Sequence, residues 1–144
     1  SSVFWINQCL KNLDRKATMI STIGYGFINN LYPTKNTTPD AIEIQKIINN
    51  FNINKVQDVC IEVSSHGIKQ GRVAGIDFDV RVFTNLSRDH LDYHDDFDAY
   101  TKSKLKIISF LDQDSKLIIN NDDLYLNKII DTQEIAKSKL IKIN

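Results

Sequence analysis

Asp58-Val59-Cys60-Ile61-Glu62-Val63-Ser64-Ser65 is the stretch whose reading decides the fold class. Its apolar run is too short for a helix and is bounded by polar residues, so it reads as a buried strand ending in polar groups. On strand alternation Glu62 and Ser64 share one face, with Val63 and Ser65 on the other. Just upstream, Asn36-Thr37-Thr38-Pro39-Asp40 has the form of a helix start. Thr38 reads as the N-cap, Pro39 suits the first helical position, and Asp40 favours the positive end of the dipole. That helix runs through Ile44, Ile47 and Ile48 toward Phe51. Further upstream, residues 17–23 read as a strand, and Gly24-Tyr25-Gly26 lets the chain turn away. Residues 1–13 have apolar positions three and four apart, the spacing of a helix that begins at the first residue.

Downstream, a stretch bearing Gly67, Gly71 and Gly75 leads to a strand over 80–85. A polar loop, Ser87-Arg88-Asp89-His90-Leu91-Asp92-Tyr93-His94, precedes a helix over about 98–111, whose Tyr100, Leu105, Ile108 and Leu111 turn toward a core. A strand over 115–119, a helix over 124–130 and a strand over 140–143 complete the pattern. Apolar strands alternating with amphipathic helices predict an α/β domain, with a mostly parallel sheet and helices on both faces. In such sheets ligands gather beyond the carboxyl ends of the strands. Glu62, Ser64, Ser65, Thr84, Asn85 and the histidine loop all fall there.

The chain has 144 residues, the size of one ordinary domain. Its 18 basic and 18 acidic residues balance, which argues against a nucleic-acid-binding protein. A hydrophobic share of 42% fills a core and excludes disorder. No apolar run is long enough to cross a bilayer and nothing resembles a signal peptide, so a soluble cytoplasmic protein is expected. Cys9 and Cys60 lie in separate apolar segments, predicting two buried free thiols rather than a disulfide or zinc site.

Read on its own, Glu62 is either a strand-end carboxylate paired with an amide or base, or a ligand for a hard cation such as Mg²⁺. His90 and His94 either stiffen their loop or supply one imidazole to a Mg²⁺ or Mn²⁺ site with aspartates behind it. Gln70 and Arg72 offer donors suited to a carboxylate or phosphate. Asn36, Thr37 and Thr38 precede a helix N-terminus, where anions are stabilised. Lys104 sits among lysines on a helix and, as an ammonium, cannot bind a metal. No GxxxxGK[ST] phosphate loop occurs in the chain.

Glu62-Val63-Ser64-Ser65-His66-Gly67, then Gln70 and Arg72, then Val82 through His94, closely resemble the central domain of the Mur ligases. Within that family they resemble the branch that adds the third residue of the peptidoglycan stem peptide. Asn36-Thr37-Thr38 and Asn120-Asn121-Asp122-Asp123 fit the same pattern, so the likeness runs through essentially the whole chain. It implies a three-layer fold like that of the P-loop NTPases. It also implies that the family's GTNGKT[ST] loop and its strand belong immediately before Ser1. Residues 1–144 then read as a partial central domain, without the amino-terminal uridine-binding and carboxyl-terminal amino-acid-binding domains. On their own they are expected to be inactive.

The resemblance further implies ATP-dependent amide-bond formation. The carboxylate of UDP-MurNAc-L-Ala-D-Glu is phosphorylated, and a diamino acid, meso-diaminopimelate or L-lysine, displaces the phosphate. Glu62 and His90 match the family's Mg²⁺ ligands. Lys104 matches its carbamylated lysine, an anionic oxygen donor once modified. Asn36, Thr37, Thr38, Ser64, Gln70 and Arg72 match positions that hold the UDP-MurNAc-dipeptide, and Asn120 a position near the adenine. Asp95 stands where relatives often carry glycine. A monomer is expected. Two other readings stand beside this one: another Mur or folylpolyglutamate-type ligase, and a non-catalytic binding module.

Overall fold

A computed structural model describes residues 1–86, 97–108, 111, 114–133, 135–136 and 139–144, with the backbone alone for 97–99. His90, His94 and the rest of the predicted histidine loop lie outside the described residues. The chain forms two compact units, residues 1–75 and 76–144. Among the described residues no helix is long and apolar enough to cross a membrane.

In the first unit, α1 (Ser2–Asn12) leads to β1 (Ala17–Ser21), β2 (Gly24–Phe27), β3 (Asn30–Tyr32), α2 (Ala41–Ile53), β4 (Asp58–Ile61) and the short α3 (Ser65–Lys69). The sheet order is β3-β2-β1-β4. β1 and β4 are parallel, with Met19 opposite Cys60 and Ile20 opposite Ile61. Such a pair needs a crossover, and α2 supplies it. Ile20 packs with Ile47 and Phe51 of α2 and with Val59 and Ile61 of β4. Each large apolar side chain so buried contributes about 1.5–3 kcal/mol. α1 lies against β1 and β4 and buries Asn7 beside Cys60, so helices cover both faces of this parallel pair. Arg15 forks the Asp58 carboxylate where β4 begins, at 2.5 and 2.8 Å. Exposed and screened, this ion pair aligns the strands more than it stabilises them.

β2 and β3 form an antiparallel hairpin where the sequence alone predicts a turn and a loop. Gly24 and Gly26 do not end the strand; they let it be crossed closely. Their φ values are +134° and +128°, and a Cβ on either would lie 2.6 Å from the Tyr32 carbonyl or 2.7 Å from that of Asn30. The helix start also differs by two residues. Asp40, not Thr38, is the N-cap of α2, its side chain accepting from the Glu43 N–H, which frees the Thr38 hydroxyl for another role. The thiols depart from expectation as well: both are free, but Cys9 is exposed and Cys60 only half-buried. Partial burial and the nearby Asp58 push the Cys60 pKa up, against a smaller opposing effect of Asn7.

The second unit carries β5 (Val80–Phe83), α4 (Phe97–Leu105), β6 (Lys116–Asn120), α5 (Leu124–Ile130) and β7 (Leu140–Ile143). Its sheet, β5-β6-β7, is parallel throughout. Phe83, Leu86, Tyr100, Ile108, Leu117, Ile119, Leu126 and Ile130 make the core, with Leu105 and Leu111 packed against it. The α/β class expected from the sequence is thus observed in both units, and the core positions expected on α4 and just beyond it face inward.

One carboxylate ties two elements of this unit together. Asp123 caps α5 through Oδ1, accepting from the Leu126 N–H at 2.9 Å, while Oδ2 accepts from the Leu86 N–H beyond β5 at 2.7 Å. Asp123→Ala is expected to lower stability by about 1–2 kcal/mol, and Asp123→Asn, with a single carbonyl oxygen, by less. Chemical denaturation of the protein and the two variants checks the order; equal stability of Asp123→Ala and the parent would contradict it.

Candidate functional site

The carboxyl ends of β1 and β4 lie side by side because the two strands are parallel and in register. Glu62, the first residue past β4, extends the ladder by donating its N–H to the Ile20 carbonyl at 2.8 Å. Val63, Ser64 and Ser65 do not continue the strand, so the predicted sharing of one face by Glu62 and Ser64 does not hold. Ser64 instead caps α3, its Oγ accepting from the Gly67 N–H at 3.1 Å. The run is short because a serine that can cap competes with the sheet for its own backbone.

The Glu62 side chain is half-buried and turned to neighbours that donate. Its Oε2 lies 3.2 Å from the Thr22 N–H donor, 3.3 Å from the Thr22 hydroxyl and 3.5 Å from the Ser1 hydroxyl. Its Oε1 has no hydrogen-bond partner among the described residues. Thr22 occupies the two-residue turn between β1 and β2, and its hydroxyl also lies 3.0 Å from that of Thr37.

Thr38 is fully buried and holds the next layer. Its hydroxyl accepts from the Ser64 N–H at 2.9 Å and donates toward the Glu62 carbonyl at 3.0 Å, with the Ser64 Oγ at 3.2 Å. The carbonyl of Thr38 accepts from Arg72 Nη1 at 2.5 Å. Arg72 also clasps Gln70 Oε1 through Nε and Nη2, at 2.9 and 2.6 Å. This grip holds the planar guanidinium against the loop that carries Thr37 and Thr38. Gly67 completes the fit, since a Cβ there would lie 2.8 Å from the Thr38 methyl.

Of the residues singled out from sequence, Thr37, Thr38, Glu62, Ser64, Gln70 and Arg72 therefore join one hydrogen-bonded network in the first unit. Asn36 is exposed beside it, its carbonyl accepting from the Thr34 hydroxyl at 2.6 Å. Thr22 and Gly67 belong to the same network. Gly67 lies inside the motif that carries the family resemblance, while the strand predicted over 17–23 covers Thr22, which the structure places in the turn after β1.

Lys104 and Asn120 belong to the second unit. Lys104 is half-buried near the end of α4, its Nζ 4.7 Å from the centroid of the Tyr100 ring one turn earlier. Asn120 ends β6, and its Oδ1 accepts from the Asp122 N–H at 2.9 Å, closing the turn that leads into α5.

Among the described residues no three His, Cys, Asp or Glu side chains gather into a metal cluster. The donor chemistry at Glu62 nonetheless fits Mg²⁺, which takes one or two carboxylates and completes its shell with water and phosphate oxygens. Oε1 is the oxygen left for it.

Residues 1–144 match the family model described as the Mur ligase middle domain. The chain is 46% identical over 118 residues to the UDP-N-acetylmuramoyl-L-alanyl-D-glutamate--2,6-diaminopimelate ligase of Vibrio vulnificus, covering 82% of this chain and 24% of that protein. It is 44% identical over 103 residues to the protein of that name from Nitrosomonas europaea, covering 72% of this chain and 20% of the relative. A solved structure of a ligase of that name superposes with a TM-score of 0.81 at 29% identity, covering 98% of this chain and 28% of the other. The chain spans about a quarter of the length of the relatives it matches. It belongs to the Mur ligase middle-domain family.

Proposed function

We propose that the whole protein is an ATP-dependent ligase that joins a diamino acid to UDP-MurNAc-L-Ala-D-Glu through an acyl phosphate. The observation that carries this reading is the hydrogen-bonded network joining Glu62, which the family resemblance assigns to the metal, to Thr37, Thr38, Ser64, Gln70 and Arg72, which it assigns to the dipeptide. The relatives' names favour 2,6-diaminopimelate as the diamino acid, over the lysine that residues 1–144 leave equally open.

The reaction asks for three things: neutralised phosphates, an aligned carboxylate, and stabilised charge on the transferred oxygens. Asn36, Thr37, Ser64, Gln70 and Arg72 would bind and orient the UDP-sugar dipeptide. Thr38, buried behind them, fixes the spacing of the loop against β4. Glu62 and His90, with Lys104 as its carbamate, would hold Mg²⁺, and Asn120 would lie near the adenine. The bound ion would offset phosphate charge as the γ-phosphoryl group is transferred. In its ammonium form Lys104 rests over the Tyr100 ring and has no oxygen to offer, so its role requires modification.

Phosphate release by the whole protein tests the reading. ATP with UDP-MurNAc-L-Ala-D-Glu and meso-diaminopimelate is expected to give turnover; UDP-MurNAc alone, the tripeptide form or a folate in place of the dipeptide is not. Glu62→Gln and Lys104→Ala are each expected to cut kcat by about 100-fold or more. Unchanged turnover in both variants would remove these residues from the site, and turnover only with another acceptor would reassign the protein to a sister ligase.

A further inference from the structure

We propose that Thr22 is a positioning residue that couples the Glu62 carboxylate to the Thr37 hydroxyl, and so links cation binding to the loop that holds the UDP-sugar dipeptide. The inference rests on Glu62 being a cation ligand and adds a residue to that reading. Thr22 contacts no substrate in this account; it acts through Glu62 and Thr37.

The Thr22 hydroxyl lies 3.3 Å from Glu62 Oε2 and 3.0 Å from Thr37 Oγ1, yet it has one proton to give. An ionised carboxylate only accepts, and a hydrogen bond to it is charge-assisted, so the Thr22 proton points to Glu62. Thr37 must then donate to Thr22. Two features follow. Oε2 is held by both the N–H and the hydroxyl of one residue, 3.2 and 3.3 Å away, which fixes the rotation of the carboxylate and leaves Oε1 for the cation. Thr37, having spent its proton on Thr22, presents only lone pairs outward, and its ligand must supply an N–H or O–H there.

The backbone sets this arrangement. Thr22 sits in a two-residue turn whose register is fixed by Ser21 opposite Gly24. Glu62 is anchored by its own N–H on Ile20. Neither end of the Thr22–Glu62 contact therefore depends on a long flexible segment, and hydrogen bonds of this kind around a metal ligand typically govern affinity by 10- to 100-fold.

The test uses the whole protein with a non-hydrolysable ATP analogue and Mn²⁺, reading free Mn²⁺ by electron paramagnetic resonance. Thr22→Val is expected to weaken Mn²⁺ binding by about tenfold, and Thr22→Ser to restore it to nearly the parent value. In turnover, Thr22→Val is expected to raise the KM for UDP-MurNAc-L-Ala-D-Glu as well, because Thr37 loses its acceptor. Thr22→Ala is run in parallel, and thermal melting is followed for every variant, so that loss of fold is not mistaken for loss of the hydroxyl. Glu62→Gln separates the two levels of the argument. Parent-like Mn²⁺ binding by folded Thr22→Val and Thr22→Ala, with binding lost in Glu62→Gln, would overturn the role of Thr22 and leave that of Glu62. Parent-like binding by Glu62→Gln would overturn the reading of Glu62, and the coupling with it.

Discussion

The parallel ladder between β1 and β4 is the constraint on which the first unit depends. Ile20 is fully buried in its last pair, opposite Ile61, and α2 crosses back over Ile20 to join the two strands. Because the strands run the same way and in register, the chain leaves both at one edge. The turn holding Thr22 and the first polar residue past β4, Glu62, are thereby neighbours. Shifting β4 by one residue would exchange Ile61 and Glu62 between faces, burying the carboxylate and exposing the isoleucine. The apolar burial that holds the register thus also aims the carboxylate.

A second layer depends on that edge. Thr38 is tied by its hydroxyl to Glu62 and Ser64, by its carbonyl to Arg72, and by its methyl to the space left by Gly67. Breaking any one of these would leave a buried polar group or a gap at a residue that water does not reach. The loop carrying Asn36 and Thr37 is therefore held from behind, with Asn36 exposed and Thr37 half-buried. Rigid support beneath a polar loop is the arrangement that a site for a large anionic substrate requires.

Much of this was legible in the sequence, for identifiable reasons. α5 and β7 have the predicted bounds because each is a short apolar run flanked by polar residues. The run from Asp58 announced a strand, but its end was obscured. α3 has five residues, too few to show a helical period, and Ser64 reads as readily as a strand residue as it does as a cap. The β2–β3 hairpin was hidden by Gly24 and Gly26, which ordinarily mark turns but here admit the carbonyls of β3. Thr22 was missed because a hydroxyl in a tight turn has no periodic signature; only the Gly24 that follows marks the place. For Lys104, periodicity offers three equivalent lysines, and the family resemblance alone distinguishes one.

In the proposed reaction the whole protein activates a carboxylate by phosphorylation before an amine attacks it. The most direct measurement follows the oxygen atoms. UDP-MurNAc-L-Ala-D-Glu labelled with ¹⁸O in the reacting carboxylate is turned over with ATP and diaminopimelate, and the released phosphate is weighed by mass spectrometry. An acyl phosphate passes one carboxylate oxygen to phosphorus when the amine displaces it, so phosphate carrying one ¹⁸O is the predicted result. Amide product accompanied by unlabelled phosphate would contradict the account.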